Sequence, residues 1–206
     1  MMKVKLLVSA VLTGLIFNAL FTCSAIAGDS QSGTAKKVAD DDWTMFQVGV
    51  LANYPAYIVK SNVYGMKLGL PLSGGEGSVS GVEFSLFGSS TYNVYGLQFA
   101  TLASAAKYVE GFQFAALTCI SKKLDGFQLS VVNVIKDLYG VQLGAYNVVT
   151  NDANGAQIGA FNVAGAADGT QVGVINIATK CGFQVGLINV IEDGWLPFCI
   201  LFNYSF

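Results

Sequence analysis

The stretch Gly140-Val141-Gln142-Leu143-Gly144-Ala145-Tyr146-Asn147 decides how this chain folds, because its pattern returns along most of the sequence. The pattern reads glycine, apolar, glutamine, apolar, small, apolar, apolar, asparagine, and its copies follow one another at nearly even intervals. Self-similarity at a nearly fixed period, here about 15 residues, is the signature of a repeat architecture. Nine copies begin at Gly65, Gly81, Gly96, Gly111, Gly126, Gly140, Gly155, Gly169 and Gly182.

Within each copy the chemical character alternates with a period of two, which predicts β-strands and not helices. One face carries the second, fourth and sixth positions, as in Phe127, Leu129 and Val131, and is apolar in nearly every copy. The other face carries the glycine, the glutamine and the small residue. Charged and turn-forming residues fall between copies, so we expect surface turns there.

Two all-β architectures fit this pattern. In the favoured one, the strands form an antiparallel meander closed into an outer-membrane β-barrel of about 10–12 strands, with the Phe/Leu/Val face toward lipid and the glutamines inside. In the alternative, each copy is one coil of a parallel β-solenoid. Its apolar face would then be the core, the asparagines would stack as a ladder at a corner, and the glutamines would line an outer face.

Three features favour the barrel. The repeat length drifts, which hairpin turns absorb more easily than stacked coils. The mean hydropathy is +0.53, and both strand faces are poor in charge. The chain also ends with alternating aromatic residues, Phe202, Tyr204 and Phe206, a pattern typical of the closing strand that the barrel assembly machinery reads.

The N-terminal sequence predicts export. Lys3 and Lys5 precede an apolar run, and Ala25-Ile26-Ala27 offers a cleavage site, so we predict a signal peptide over residues 1–27. Residues 28–42 are small and polar and predict a flexible leader. A single β-repeat domain should then occupy residues 43–206.

Composition excludes several function classes. The 206 residues contain no histidine, which removes the commonest general base and zinc ligand. All 11 basic residues are lysines, against 13 acids, so nothing favours nucleic-acid binding. We expect no catalytic, cofactor-binding or metal site, and hence no enzymatic activity. Cys119, Cys181 and Cys199 could form one disulfide, whose pairing the sequence leaves open.

The repeats, together with the segments 194–198 and 202–206, resemble a family of bacterial surface-repeat proteins found among leptospires and gut anaerobes. The likeness covers about Tyr64 to Phe206 and is most specific in the last five copies, whereas the earliest copies have lost the glutamine or the asparagine. The resemblance implies an exported surface or outer-membrane protein of unassigned activity.

The recurrent amides are the candidate site residues, and we interpret them as structural. In a confined space neighbouring amides can satisfy one another, whereas an unpaired buried amide costs about 1–3 kcal/mol. They form two sets, the glutamines Gln98, Gln113, Gln128, Gln142, Gln157, Gln171 and Gln184 and the asparagines Asn133, Asn147, Asn162, Asn176 and Asn189.

A pair of opposite charges and a row of aromatic residues also stand out in the sequence. Lys67 and Glu83 stand at the glutamine position of adjacent copies, and we expect an ion pair between them and not a catalytic dyad. A row of aromatic residues near strand ends fits either an interfacial belt or ordinary packing. These aromatic residues are Tyr64, Tyr95, Tyr139, Trp195 and Tyr204.

The sequence therefore predicts an exported, non-enzymatic protein with a structural or interaction role at the outer membrane, as a small or plugged barrel. Its expected partners are the lipid bilayer and the barrel assembly machinery. The alternative function is a surface-exposed β-solenoid that binds a partner.

Overall fold

The computed structural model describes residues 43–50, 60–194 and 196–205. The predicted signal peptide (1–27), the predicted leader (28–42), Trp195 and Phe206 lie outside the described residues. The described residues belong to one unit of the chain, Val38–Phe206. Nine strands follow one another, β1 (Trp43–Gly49), β2 (Asn62–Gly69), β3 (Leu72–Ser85), β4 (Gly88–Ala100), β5 (Ala103–Ala115), β6 (Thr118–Leu129), β7 (Val132–Leu143), β8 (Tyr146–Ile191) and β9 (Phe198–Tyr204).

The strands form one sheet in chain order, and every pair from β1–β2 to β7–β8 is parallel. Equivalent positions of the repeat lie directly over one another, so that Gly96 pairs with Gly111 and Gln98 with Gln113. Each repeat therefore forms one coil of a parallel β-solenoid, and the coils stack in register. The all-β, repeat-built prediction is confirmed.

The predicted antiparallel barrel is wrong, and the solenoid alternative is correct. The length of one repeat fits a strand plus a hairpin turn, but here the repeat is divided into three short stretches separated by corners. In the coil that begins at Gly126, bends at Ser130 and Val131 end the first stretch, and the pairing with β6 skips Lys136, which separates a second stretch, 132–135, from a third, 137–139. Differences in repeat length are absorbed at a corner, where the pairing of β7 with β8 shifts between Ile135 and Leu138.

The inside and the outside of the solenoid are the reverse of what we expected for that alternative. The glutamines are buried, whereas the Phe/Leu/Val face of the first stretch points outward, as shown by Leu97, Phe183 and Val185, which are 38–43% exposed. The apolar core comes mainly from the second and third stretches. Its members include Val94, Val109, Leu124, Ile135, Leu138, Val149, Ala153, Ala164, Ala167, Ala178, Cys181 and Ile191.

Each coil turns from its third into its first stretch at the glycine that opens the repeat, which we call the column glycine. At Gly140 the backbone has φ +136°, and a Cβ there would lie 2.0 Å from the carbonyl oxygen of Gly126. Only glycine combines that φ with so close an approach of stacked backbones. The same positive φ recurs at the column glycines from Gly65 to Gly155, so the geometry of the corner requires glycine in those copies.

The last rung differs from all the others. Strand β9 pairs with the final coil of β8 in the antiparallel direction, with Phe202 opposite Val185 and Asn203 opposite Gln184. The pairing is irregular between Gly186 and Asn189, and Leu201 in β9 has φ +74°. Within the described residues no helix has the length and hydropathy needed to cross a membrane.

Candidate functional site

The seven predicted glutamines form one continuous row inside the solenoid, the glutamine column. Each Nε2 donates to the Oε1 of the glutamine in the preceding coil, over distances of 2.7–3.0 Å between Gln113 and Gln98 at one end and Gln184 and Gln171 at the other. Every side chain in this column is 0–1% exposed. At the C-terminal end, Gln184 Oε1 has no hydrogen-bond partner among the described residues. The other carbonyls are satisfied within the column, which offers none of its amides to solvent.

Glu83 heads the glutamine column. Its carboxylate accepts a hydrogen bond from Gln98 Nε2 at 2.9 Å, from Thr91 Oγ1 at 2.7 Å and from the hydroxyl of Ser73. A carboxylate only accepts hydrogen bonds, so Gln98 must turn its amide nitrogen toward Glu83. Each following glutamine then has to point the same way, and one carboxylate thus fixes the polarity of the whole column.

Lys67 lies on the other side of Glu83, with 3.9 Å between Nζ and Oε1, and it also donates to Thr91 Oγ1 at 3.3 Å. Burial lowers the pKa of the Lys67 ammonium, while the charge of Glu83 acts in the opposite direction. The two side chains are 4% and 0% exposed. The structure thus brings together the two residues that the sequence suggested as a pair, and it seals them from solvent.

The asparagines stack in a second row, the asparagine column, on the second stretch of each coil. From Asn133 to Asn189, each Nδ2 donates to the Oδ1 of the asparagine in the following coil at 2.8–2.9 Å. Each of these donors also reaches a main-chain carbonyl of the following coil, as Asn147 does to Ile158 at 2.9 Å. The donors of this column therefore point toward the C-terminus, opposite to those of the glutamine column.

The small residue at the fifth position of the repeat makes room for the asparagines. A Cβ on Gly159 would lie 2.0 Å from the carbonyl oxygen of Gly144 and 2.6 Å from Asn147 Nδ2. Gly173 and Gly186 are equally close to Asn162 and Asn176. The second glycine of the G-x-Q-x-G pattern in the last copies is thus required by the close packing of the asparagine column.

Sequence reasoning missed the polar residues that continue this column toward the N-terminus. Register places Ser73, Ser89, Ser104 and Cys119 in line with Asn133. Ser104 Oγ donates to Gln98 Oε1 at 2.8 Å, so these hydroxyls connect the two columns. The signal was present as a serine at a fixed distance after the glutamine position, but its meaning depends on register.

The outward side chains of the first stretch form an apolar surface that runs the length of the stack, the outer face. Phe112 and Phe127 stack with ring centroids 5.2 Å apart, and Phe99 lies 5.7 Å from Phe112. The outer face comprises Met66, Val82, Phe84, Leu97, Phe99, Phe112, Phe114, Phe127, Leu129, Val141, Leu143, Ile158, Val172, Phe183 and Val185.

Charged residues are confined to a different side. From Lys107 onward, the charged side chains lie on the third stretch or at its corners, which we call the charged edge. Tyr64, Tyr95 and Tyr139 stand directly before column glycines, at the border between the charged edge and the outer face, and are 41–52% exposed. The charged edge includes Lys107, Glu110, Lys122, Lys123, Asp125, Lys136, Asp137, Asp152, Asp168, Lys180, Glu192 and Asp193.

All three cysteines of the described region are free thiols. Cys119 and Cys181 are buried, and burial raises the pKa of the Cys119 thiol to about 12 and that of Cys181 to about 11. Cys199 in β9 is half-buried. Their positions on separate coils leave the disulfide that the sequence allowed unformed.

Comparison with models of known protein families, with curated proteins and with solved structures finds no match. The resemblance to the bacterial surface-repeat proteins therefore stays a prediction.

Proposed function

We propose that this chain is an exported, non-enzymatic protein of the cell envelope that docks on a lipid bilayer through the outer face of its β-solenoid. The observation that carries the proposal is the sidedness of the coils, in which amides fill the interior and large apolar side chains point outward. The barrel assembly machinery has no place in this proposal, because its involvement was inferred from barrel closure.

The size of the apolar surface supports docking. With strands about 4.8 Å apart, nine coils make the outer face about 40 Å long. The apolar surface continues round the corner of the first stretch through Leu117, Val131 and Leu187 and onto Phe161 and Ile188, all of which are exposed. At about 3.3 Å per residue this gives a width of about 25 Å and an area of about 1,000 Å². Soluble monomers rarely expose more than a few hundred Å² of contiguous apolar surface, so an apolar surface of this size indicates a binding site for a protein or a membrane.

A bilayer fits the distribution of polar groups around that surface. Amphipathic elements that lie in a membrane interface carry an apolar side toward the acyl chains, aromatic residues at the boundary and charges on the aqueous side. Here the outer face, the row of Tyr64, Tyr95 and Tyr139 and the charged edge follow in that order around the coil. The charged edge carries both signs, which favours apolar contact over attraction to anionic lipid.

The interior supports a structural role for the amides. A substrate would have to reach Lys67 and Glu83, the most reactive pair of side chains on the described part of the column, but both are at most 4% exposed. Their hydrogen-bonding groups are engaged by Thr91, Ser73 and Gln98. We therefore assign the pair and the columns a structural role, in which they join neighbouring coils through buried hydrogen bonds.

Flotation on vesicles tests the proposal. Protein recovered after export is mixed with phosphatidylcholine vesicles and centrifuged on a density gradient, and we expect the native chain to float with the lipid. Leu97→Lys combined with Val172→Lys places two charges on the outer face and should reduce the floating fraction at least tenfold, because each ammonium would have to enter the interface.

The matched control is Asn151→Lys combined with Ala166→Lys, which adds the same two charges at exposed positions of the charged edge. This variant should float like the native chain. A native chain that stays at the bottom of the gradient, or an outer-face variant that floats as well as the control, contradicts membrane docking.

A further inference from the structure

Strand β9 is the last strand of the sheet, with β8 on one side and no described strand on the other. An edge strand presents a row of main-chain N–H and C=O groups that can pair with another strand. Natural edge strands are usually blunted by charged residues, and solenoids end in caps with a polar outer side. The sequence of β9 from Phe198 to Asn203, Phe-Cys-Ile-Leu-Phe-Asn, contains no charge.

The side chains of this rung are also unusually exposed. Phe198, Ile200, Leu201 and Phe202 are 57–61% exposed, although they belong to the sheet that forms the body of the solenoid. No described strand pairs with the outer edge of β9. The main-chain N–H and C=O groups of such an edge favour another β-strand as the partner.

We propose that β9 pairs with β9 of a second copy of this chain, joining two solenoids end to end about a twofold axis. Two identical strands related by such an axis run antiparallel, which is the more stable arrangement of a strand pair. Because β9 carries no charge, a copy of itself brings no like-charge repulsion across the joint.

The strand's direction within its own chain is consistent with this joint. Parallel coils stacked on parallel coils would make an open-ended fibre, whereas β9 reverses the strand direction at the last rung. Pairing of β9 with its own copy about a twofold axis is isologous whatever the direction of β8, so association closes at two copies. Phe202 lies opposite Val185 of the outer face, so the apolar surfaces of the two copies meet at the joint. The inference is independent of membrane docking.

Sedimentation equilibrium tests this proposal, with exported protein in a density-matched non-ionic detergent that covers the outer face. We expect a dimer for the native chain at about 50 μM. Ile200→Lys introduces the charge that natural edges use, and it should shift the protein to monomer with an increase of at least tenfold in the dimer dissociation constant.

Leu117→Lys is the matched control. Leu117 is 54% exposed and Ile200 is 61% exposed, but Leu117 lies at the corner between β5 and β6, several coils before the coil that pairs with β9. The control should remain a dimer while it weakens vesicle flotation. Circular dichroism checks that both variants keep their β-structure.

Alkylation of Cys199 gives a second measurement that does not depend on particle mass. The thiol lies in β9 and is half-buried, so pairing should slow its reaction with iodoacetamide as the protein concentration rises, at least fivefold between 1 and 100 μM. In Ile200→Lys the rate should not depend on concentration.

A native monomer at 100 μM overturns the proposal. A ladder of trimers and longer species also overturns it, because that result means a head-to-tail joint. Equal loss of the dimer in Ile200→Lys and Leu117→Lys overturns it as well, since the contact would then lie on the outer face.

Discussion

The N-terminal and C-terminal halves of the solenoid keep the same coil but fill it differently. From Asn133 onward, each coil adds one glutamine and one asparagine, and each column bonds along itself. Before Cys119, hydroxyls take the place of asparagine and reach across to the glutamine column, as Ser104 does to Gln98. The coil thus depends on the satisfaction of its buried polar groups and not on one particular residue type.

The halves differ most at Glu83. The carboxylate collects donors from several coils of the N-terminal half, through Ser73, Thr91 and Gln98. In the C-terminal half each coil repeats the same pair of amide contacts with its neighbours. The buried hydrogen bonds of the N-terminal half therefore converge on Glu83, whereas those of the C-terminal half are spread evenly over its coils.

We expect the largest effect from a substitution of Glu83, where the buried hydrogen bonds of the N-terminal half converge. Glu83→Gln leaves Lys67 as a buried ammonium without its countercharge, which costs about 3–5 kcal/mol. We expect the free energy of unfolding in urea, followed by circular dichroism, to fall by that amount.

Lys67→Gln combined with Glu83→Gln is the informative partner, because it extends the glutamine column by two members. The double variant should recover most of the lost stability, since replacing a whole buried ion pair is often neutral. A double variant as unstable as Glu83→Gln would show that the carboxylate itself, and not the pairing of charges, holds this half together.

The next effect concerns the fifth position of the repeat. Gly159→Ala forces a Cβ against the Gly144 carbonyl and Asn147, and we expect a loss of about 3 kcal/mol in the free energy of unfolding. The same position holds Ala115 in the N-terminal half, where Cys119 and not asparagine follows. Ala115→Gly should cost only about 1 kcal/mol. Similar losses for both variants would mean that the halves do not differ in this way.

Removal of one rung from the second column should have a smaller effect that still separates the halves. Asn162→Ala leaves Asn147 Nδ2 and the Val172 carbonyl with fewer partners, and we expect a loss of about 2 kcal/mol. Ser89→Ala removes one hydroxyl contact, to Ser104 at 3.0 Å, and should cost about 1 kcal/mol. Thermal unfolding of the two variants gives the comparison, and a reversed order would contradict it.

The sequence allowed the repeat and the strands to be predicted, but not the direction of the strands or which side chains are buried. The long period revealed the repeat, the period of two revealed the strands, and the regular asparagines indicated a ladder, because each of these is visible in the order of residues along the chain. Strand direction was not visible, since a strand with its hairpin turn and a three-cornered coil need the same length of chain. We expected the glutamines of a solenoid to line an outer face, because a buried glutamine without a hydrogen-bond partner is costly. In the stack, the glutamine of the neighbouring coil supplies that partner.

The same limit applies to the candidate site. Lys67 and Glu83 could be proposed as a pair because they occupy equivalent repeat positions, and that equivalence survives in the register. Ser73 and Thr91 could not be proposed as their partners, because they come from the second stretch of their coils. Only the stacking of corner upon corner brings these hydroxyls to the carboxylate.

The smallest expected effect lies at the boundary of the halves, where Cys119 occupies the second column. Its folded pKa of about 12 exceeds the ordinary value of 9.0, so the folded state holds the proton more tightly than the unfolded state. The stability that this thiol contributes is therefore complete below about pH 9 and is lost as pH rises toward 12.

Cys119→Ser, which restores the residue type of the N-terminal half, should remove that part of the pH dependence while changing stability near pH 7 by less than about 1 kcal/mol. Urea unfolding at pH 8 and pH 10.5 measures the difference from the native chain. Identical pH dependence in the two proteins would show that Cys119 does not titrate with folding.

The opposed directions of the two columns have a consequence for how such a gene can change. Duplication or loss of one whole coil in the C-terminal half inserts or removes a glutamine and an asparagine together, and the neighbouring amides reconnect with the same orientation. Length is therefore free to vary by in-frame steps of one coil, while the segment around Glu83 has to be inherited intact.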